Sequence, residues 1–268
     1  MQTSTGKELP AKPLILCEHF LSVEGEGGWL GFPVTLIRFS GCNLRCTFCD
    51  TKFSSWFTND QYVKSLDEVL AFIRAQGAYM VSFTGGEPMF REAPGEMDAF
   101  LELCLQLKQE GYYLKVETNG LIYDERFMPY IDLWSISPKL LGMGDSTTGK
   151  SKTFFDPKVL SQFVNGVSSP ADMQLKWVVG ERDKNNTYEA DIKAIREYMD
   201  SEPRIADQAI PVILQPEGLC QSIEEYNLRC AHLCEKTILN DPNGWWTKYN
   251  LRILPQFHRQ MWNNERQK

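Results

Sequence analysis

The sequence predicts an α/β fold in which helices cover a parallel sheet that closes into a barrel or stays open. Strand-like and helix-like runs alternate along the chain, and polar motifs directly follow the predicted strands. In parallel α/β folds the functional groups collect at the carboxyl ends of the strands, so this placement supports the same fold. The 268 residues, 43% hydrophobic and 24% charged, are ordinary for one globular domain of this class.

Each predicted element rests on the period of its apolar residues. Runs rich in aliphatic and aromatic residues predict strands at 13–21, 34–39, 79–83, 112–116, 133–137, 173–179, 211–214 and 251–254. Apolar residues at helical spacing predict helices at 65–76, 95–110, 187–199 and 223–234, and a further helix at the C-terminus. Ser65 and Glu68 together form a capping box, which marks the start of the first of these helices.

The polar segments that directly follow predicted strands are 41–50, 84–88, 117–120, 137–139 and 215–218. Because the carboxyl ends of parallel strands meet at one edge of a sheet, we expect these segments to lie together. No internal repeat or linker divides the chain, so the irregular stretch 140–155 is predicted to be a polar loop inside one domain.

Within that loop, 144–151 matches the phosphate-binding pattern GxxxxGK[ST]. The pattern binds phosphate only where a strand leads directly through the loop into a helix whose N-terminus faces the ligand. Here 137–143 separates the strand from the first glycine, and the next helical pattern begins near Asp156. We therefore interpret the match as a loop of the fold and not as a nucleotide site.

The charge of the chain argues against nucleic acid and membrane partners. The formal net charge is −7 and the pI is about 5.2, so there is no chain-wide positive field. No apolar run approaches membrane-spanning length, and no basic region followed by an apolar core marks a secretory signal. We therefore expect a cytoplasmic protein with a small-molecule substrate, whose eight cysteines are reduced.

The most informative motif is the C-x₃-C-x₂-C loop formed by Cys42, Cys46 and Cys49. Such a loop folds three thiolates around one face of a cubane cluster and leaves the fourth iron without a protein ligand. An open coordination position is typical of catalytic metals, whereas electron carriers usually close theirs with a fourth cysteine. Structural zinc is the alternative, in which His19 would have to reach the three cysteines as the fourth ligand.

The spacing of these cysteines, with the aromatic Phe48 before the third, resembles the signature of the radical S-adenosylmethionine (SAM) superfamily. Gly85-Gly86-Glu87-Pro88 follows a predicted strand, as the GGEP segment of that superfamily does. The resemblance implies a [4Fe–4S] cluster whose open iron chelates SAM, and an electron donor of the flavodoxin or ferredoxin type. One electron then cleaves SAM to methionine and a 5′-deoxyadenosyl radical.

Further segments resemble the 7-carboxy-7-deazaguanine synthase family, from about residue 14 to residue 262. They are Glu24-Gly25-Glu26-Gly27, Arg38, Cys49-Asp50-Thr51, Glu117-Thr118-Asn119-Gly120, Ser137-Pro138-Lys139, Leu175-Lys176, Leu214-Gln215-Pro216 and 252–258. The resemblance implies one radical SAM domain over 1–268, built as a partial (β/α) barrel with a reduced set of covering helices. It also implies a homodimer, and we expect 1–12 and 263–268 to be flexible ends.

The same resemblance implies the ring contraction of a small pterin. The substrate would be 6-carboxy-5,6,7,8-tetrahydropterin, and the products 7-carboxy-7-deazaguanine and ammonia, in queuosine-type biosynthesis. The radical would take hydrogen from C6 of the pterin and return it after the rearrangement, with help from Mg²⁺. Two alternatives stay open: another radical SAM enzyme, such as a glycyl-radical activase that acts on a protein, or an iron–sulfur electron-transfer module.

The resemblance also implies roles for single residues. Those expected around SAM are Phe48, Asp50, Gly86, Glu87, Asn119, Ser137, Lys139 and Gln215. Those expected around the pterin are Val23, Glu24, Gly25, Glu26, Arg38, Thr84 and His258. Arg38 suits the substrate carboxylate because a guanidinium binds it at two points, and the Thr51 hydroxyl suits Mg²⁺, which prefers oxygen ligands.

Some of these residues have plain structural interpretations as well. Arg38 could form a surface ion pair, Thr51 could cap the next turn, and His258 could be a surface imidazole. Glu24 departs from the family, which usually has Gln there, so an acceptor replaces a donor. The change either tunes pterin recognition or indicates a related substrate.

Overall fold

The structure is a computed structural model that describes residues 10, 12–56, 58–143, 155–180, 188–263 and 265–267. The phosphate-binding pattern at 144–151 lies outside the described residues. Among the residues that are described, no helix combines the length and the apolar content needed to cross a membrane.

The described residues form one open sheet of nine strands, as the α/β prediction requires. The strands are β1 Pro13–Val23, β2 Pro33–Phe39, β3 Tyr62–Ser65, β4 Met80–Gly85, β5 Tyr113–Thr118, β6 Leu133–Ile136, β7 Met173–Val179, β8 Val212–Pro216 and β9 Leu251–Ile253. Their order is β3-β1-β2-β4-β5-β6-β7-β8-β9, so β3 and β9 are the two edges. The sheet is therefore an unclosed barrel.

The sheet is parallel from β2 to β9, but β1 pairs antiparallel with both β2 and β3. The segment that joins β1 to β2 holds only one short 3₁₀ turn, Gly27–Trp29. A parallel pair needs a crossover of a dozen or more residues, so this connection permits only the antiparallel pairing. β3 was not predicted, because its four residues carry too short a pattern.

The helices lie between the strands as the alternation predicts. They are α1 Lys52–Ser55, α2 Leu66–Gln76, α3 Glu96–Gln109, α4 Pro157–Gly166, α5 Tyr188–Ser201, α6 Arg204–Asp207, α7 Ile223–Cys234 and α8 Phe257–Trp262. The predicted capping box is present: Ser65 Oγ accepts from Glu68 N at 3.3 Å, and Glu68 Oε2 accepts from Ser65 N at 2.8 Å. α2 ends at Gly77, whose φ of 72° is left-handed.

The two faces of the sheet carry different side chains because successive residues of a strand point to opposite sides. On the outer face Phe39 of β2 and Phe83 of β4 pack on Phe100 of α3, with ring centroids 4.8 and 4.9 Å apart. Removing such a buried ring costs about 3–5 kcal/mol. On the inner face the neighbouring positions hold polar residues, among them Arg38 and Thr84, which line a cavity. Alternation thus separates the core from the site.

Candidate active site

A cavity of about 520 Å³ opens on the inner face of the sheet, at the carboxyl ends of its parallel strands. The residues predicted from the sequence all line it: Val23, Glu24, Gly25, Glu26, Arg38, Cys42, Cys46, Phe48, Cys49, Asp50, Thr51, Thr84, Gly86, Glu87, Asn119, Ser137, Lys139, Gln215 and His258. The expectation that the segments after the strands lie together is therefore confirmed.

The cysteine loop is folded by its own polar groups. Arg45 Nη1 donates to the carbonyl oxygens of Cys42 at 2.7 Å and Leu44 at 2.9 Å. Cys49 N donates to Cys46 O at 3.1 Å, which closes the second half of the loop. Leu44 and Cys46 are buried together against Phe48 and other apolar neighbours, apart from the main core. The three thiols thus sit in an apolar wall of the cavity.

The zinc alternative lacks its fourth ligand in the described part of this structure. Among the described residues, no group of three His, Cys, Asp or Glu side chains is arranged to hold one metal ion. His19, the fourth ligand that zinc would need, instead bonds Tyr62 Oη through Nδ1 and packs on Phe72. Burial, together with the Glu87 carboxylate, raises the pKa of the Cys42 thiol to about 12.

Glu87 joins the cysteine loop to the ends of two strands. The side chain is buried, with 1% of the residue exposed. Its Oε1 accepts from Thr118 Oγ1 at 2.8 Å and Met89 N at 2.9 Å, and its Oε2 accepts from Asn119 N at 2.7 Å. Burial raises the pKa of this carboxyl. Oε2 retains a lone pair for one further donor, such as the ammonium of SAM.

Backbone contacts bring the same loops within reach of each other. Glu87 N donates to Gly41 O at 2.8 Å, and Asn119 Nδ2 donates to Asn43 Oδ1 at 2.7 Å. A Cβ on Gly86 would collide with the carbonyl of Gly41 and lie 3.2 Å from Cys42 N. Only glycine allows this approach, so the GGEP segment fixes the position of the first cysteine.

The other side chains predicted around SAM line the same wall. Lys139 Nζ donates to Ser137 Oγ at 2.8 Å, which orients both groups. Phe48 packs so closely on Gly180 that a Cβ there would lie 2.5 Å from its ring. Gln215 is 1% exposed, and its Oε1 is buried without a hydrogen-bond partner among the described residues.

The floor of the cavity is a network of three carboxylates and two lysines. The ammonium of Lys115 lies 3.0 Å from Glu24 and 2.9 Å from Glu117. Lys176 pairs with Glu26 and lies 3.3 Å from Glu117. Thr84 Oγ1 donates to Glu117 at 3.1 Å. The lysines therefore sit between the carboxylates, and each charge has an opposite neighbour.

These ion pairs set the protonation of the floor. Burial alone would raise the pKa of Glu26, but the Lys176 ammonium lowers it to about 2. The pKa of Glu117 is lowered against the same burial by Lys115 and Lys176. The pKa values of both lysines are raised, because the nearby carboxylates outweigh the burial of the ammonium groups. Glu26 and Glu117 thus face the cavity as ionised acceptors.

Arg38 lies beside Thr84 on the inner face of the sheet and is held by a buried acid. Its Nε donates to Glu18 Oε2 at 3.0 Å, and Glu18 is 3% exposed. No other hydrogen bond joins the Arg38 guanidinium to a described residue. Arg266, from the segment expected to be flexible, bonds the second Glu18 oxygen at 2.8 Å and stacks 3.8 Å from the Phe53 ring centroid. Arg38 and Glu18 therefore form a partly buried ion pair and not a surface one. The terminal nitrogens of Arg38 are available to an anion.

Thr51 and Asp50 follow the last cysteine and border the cavity. Thr51 occupies the N-cap position of α1, but its side chain makes no capping hydrogen bond. Its hydroxyl lies 3.7 Å from Cys49 Sγ. Asp50 Oδ2 accepts from Gln256 Nε2 at 3.2 Å, and the same nitrogen donates to Glu26 Oε1 at 2.7 Å. Gln256 thus connects the cluster side of the cavity to its floor.

Comparison with known proteins places this site in a family. The pattern that describes the Radical SAM superfamily matches residues 36–135, which hold the cysteine loop and the GGEP segment. The 7-carboxy-7-deazaguanine synthase of Halobacterium salinarum is 33% identical over 277 aligned residues, covering 98% of this chain and 95% of that enzyme. The chain belongs to the 7-carboxy-7-deazaguanine synthase family. The synthase of Aquifex aeolicus is 29% identical, and the match covers 92% of each chain.

A solved structure agrees with the synthase assignment at the level of the fold. QueE from Escherichia coli superposes with a TM-score of 0.57 and 23% identity, over 90% of this chain and 94% of that one. The partial radical SAM barrel expected from the sequence is therefore confirmed as the fold of this member of the 7-carboxy-7-deazaguanine synthase family.

Several residues of this synthase site were not assigned from the sequence: Glu18, Lys115, Glu117, Lys176, Gln256 and Arg266. A signal for four of them was present. Glu18, Lys115, Glu117 and Lys176 are charged residues inside strands, and a charge is buried in a strand only where it has a partner. Gln256 and Arg266 carry no comparable signal, since both reach the cavity from segments near the C-terminus.

Proposed function

We propose that the chain catalyses the ring contraction of 6-carboxy-5,6,7,8-tetrahydropterin to 7-carboxy-7-deazaguanine, with loss of ammonia, in 7-deazapurine biosynthesis. The observation that carries this proposal is the meeting of two residue sets at one cavity: the cysteine and GGEP segments, and the Glu24–Glu26 segment with Arg38. A radical generator and a pterin-recognition surface must share one cavity for this reaction. Membership of the 7-carboxy-7-deazaguanine synthase family supports the same conclusion.

The cysteine wall is the proposed holder of the cluster and SAM. Cys42, Cys46 and Cys49 would bind three irons, and Glu87, Ser137 and Gln215 would receive the polar groups of SAM. When bound, the cluster and SAM supply a carbon radical that takes hydrogen from the substrate. The chain's own residues hold the cofactors and the substrate in the correct relative position and exclude water. The burial of Cys46 and Glu87 favours this exclusion.

The charged residues of the same cavity match the two ends of a carboxypterin. The Arg38 guanidinium is placed for a carboxylate, since its terminal nitrogens have no hydrogen bond to described residues. The Glu24 and Glu26 carboxylates lie on the floor and accept from N–H donors, such as the amide and amine on the pyrimidine edge of a pterin. His258 borders the same space. A ligand that carries an anion at one end and donors at the other satisfies both sets.

Three finer features belong to the same proposal. Thr51 would give its hydroxyl to Mg²⁺, which its lack of a capping hydrogen bond supports. Because SAM cleavage consumes one electron, we propose a flavodoxin- or ferredoxin-type donor. We also propose a cytoplasmic location, because all eight cysteines are free thiols, as expected in a reducing compartment. A homodimer follows from the family resemblance, and sedimentation tests it.

Anaerobic turnover tests the proposal. Cluster-loaded protein is mixed with SAM, dithionite, Mg²⁺ and 6-carboxytetrahydropterin, and the deazapurine is sought by mass spectrometry. We expect the product with the wild type and with Cys234→Ser, which alters a cysteine away from the cavity, and none with Cys46→Ala. 5′-Deoxyadenosine without the deazapurine would keep the radical chemistry and reject the substrate. A glycyl-radical activase would instead require a protein partner for turnover.

A further inference from the structure

We propose that Lys115 is a positioning residue for substrate recognition, which allows the pocket to use a carboxylate at position 24. The inference rests on the proposed function for the identity of the substrate, but the pairing of Lys115 with Glu24 does not depend on it. Lys115 has 0% of its surface exposed and lies behind the cavity wall, whereas Glu24 lines the cavity. Lys115 therefore acts through Glu24 and does not touch the ligand.

The ammonium of Lys115 is surrounded by oxygens. It lies 3.0 Å from Glu24 Oε2, 2.9 Å from Glu117 Oε1 and 3.2 Å from the carbonyl oxygen of Glu26. An ammonium has three N–H donors, so these three oxygens are enough to compensate its burial. The lysine is thus a fixed part of the floor, held between strand β5 and the segment that carries Glu24.

Glu24 is oriented by two contacts, one at each carboxylate oxygen. Its Oε1 accepts from Glu26 N at 3.2 Å. Its Oε2 is enclosed by protein and faces the Lys115 ammonium at 3.0 Å, which compensates its burial. The Glu24 side chain lines the cavity, and Oε1 accepts only one hydrogen bond from described residues. Oε1 therefore retains a lone pair for a substrate N–H.

The charges of the whole floor support this function. Glu24, Glu26 and Glu117 face Lys115 and Lys176, so the carboxylates exceed the ammonium groups by one. The excess negative charge suits a ligand edge that carries several N–H donors, such as the cyclic guanidine of a pterin. Without Lys115 the carboxylates would exceed the ammonium groups by two, and the Glu24 carboxylate would lack its nearest cation.

A neutral residue at position 24 would remove the excess negative charge that the loss of Lys115 leaves. In Lys115→Met the carboxylates of Glu24 and Glu117 lose a shared cation, and Glu24 is expected to turn away or to take up a proton. Either response removes the acceptor that the substrate needs. A Gln at position 24 needs no cation behind it, so Glu24→Gln should be tolerated better in the Lys115→Met background than the single lysine change.

The experiment is a double-mutant cycle on the full chain with wild type, Lys115→Met, Glu24→Gln and the double variant. The two readouts are the thermal unfolding midpoint and, for cluster-loaded protein, KM and kcat for the carboxypterin. We expect Lys115→Met to lower the midpoint by several degrees and to raise KM at least about tenfold, with a smaller change in kcat. The double variant should recover at least half of both losses. Lys64→Met, which opens the exposed Lys64–Glu68 pair, is the control and should change neither readout.

Additive effects of the two substitutions on both readouts would overturn the proposal, since the residues would then not be coupled. Coupling in the unfolding midpoint with additive effects on KM would overturn the recognition role and leave a purely structural pair. If the wild type does not turn over the carboxypterin at all, the proposed function fails, and the unfolding midpoints still decide whether Lys115 and Glu24 are coupled.

Discussion

Gly25 and His258 lie in direct contact at the cavity. The contact joins the connection between β1 and β2 to the C-terminal helix α8. A Cβ on Gly25 would lie 2.9 Å from His258 Cγ and 3.0 Å from His258 Cβ. The backbone follows the same path, because Phe257 N donates to Gly25 O at 2.8 Å. The glycine is thus required by the close approach of α8 and not by its own backbone angle.

Gly25→Ala should therefore displace His258 and the start of α8. We expect an unfolding free energy lower by about 1–3 kcal/mol, as for overpacking elsewhere, and a higher KM for the pterin. Steady-state kinetics and urea unfolding check both. Adding His258→Ala should relieve the overlap and recover stability, so a double variant that is less stable than Gly25→Ala alone would contradict the steric account.

Glu87 is predicted to hold the site together through its three hydrogen bonds. Glu87→Gln places an amide N–H₂ among donors, and we expect a loss of about 1–3 kcal/mol of stability together with weaker SAM binding. Urea unfolding and equilibrium binding of SAM to the cluster-loaded protein measure the two effects. Glu92→Gln is the control on the same loop, since Glu92 is exposed. Equal behaviour of the two variants would refute the role assigned to Glu87.

The three cysteines of the loop should differ from the others in iron content. We expect Cys42→Ser, Cys46→Ser and Cys49→Ser each to lose most of the iron and the cluster absorbance after anaerobic reconstitution. Cys234→Ser should keep both, because Cys234 does not line the cavity. Full iron content in any of the three loop variants would argue against the cluster assignment.

The lowered pKa of Glu26 predicts a specific pH dependence of the free energy of unfolding. Its pKa is about 2 in the folded chain against an ordinary value of 4.5. A lowered pKa stabilises the fold above pH 4.5, and the gain is lost as the pH falls from there toward 2. Glu26→Gln should therefore be less stable than the wild type by about 3 kcal/mol near pH 7. Denaturant unfolding at several pH values should find this gap narrowing in acid, and a constant gap would contradict the Lys176 pairing.

Much of this fold was predictable because parallel strands impose a simple rule on the sequence. Apolar runs with polar segments after them fix both the sheet and the edge where chemistry collects, and Cys42, Thr84, Asn119 and Gln215 all lie at that edge. The antiparallel pairing of β1 was not predicted, since it depends on the short connection to β2. Local patterns also carry no information about which strands become neighbours at long range.

The floor of the site was the hardest part to predict. Lys115 and Glu24 are far apart in the chain, and nothing local to either residue identifies the other as its partner. The sequence offered only the anomaly of a lysine inside an apolar strand and of a Glu where the family usually has Gln. Neither residue alone indicates an ion pair, and only the folded structure shows that the two residues are partners.

The central claim is that the proposed SAM site and the proposed pterin site in this cavity serve one reaction. The transfer of hydrogen from the pterin to the adenosyl group of SAM tests this claim most directly. Substrate deuterated at C6 is incubated anaerobically with cluster-loaded protein, SAM, dithionite and Mg²⁺, and the recovered SAM and 5′-deoxyadenosine are analysed by mass spectrometry. The account predicts deuterium in these adenosyl products together with 7-carboxy-7-deazaguanine. Unlabelled adenosyl products and no deazapurine, from protein with a full cluster, would contradict it.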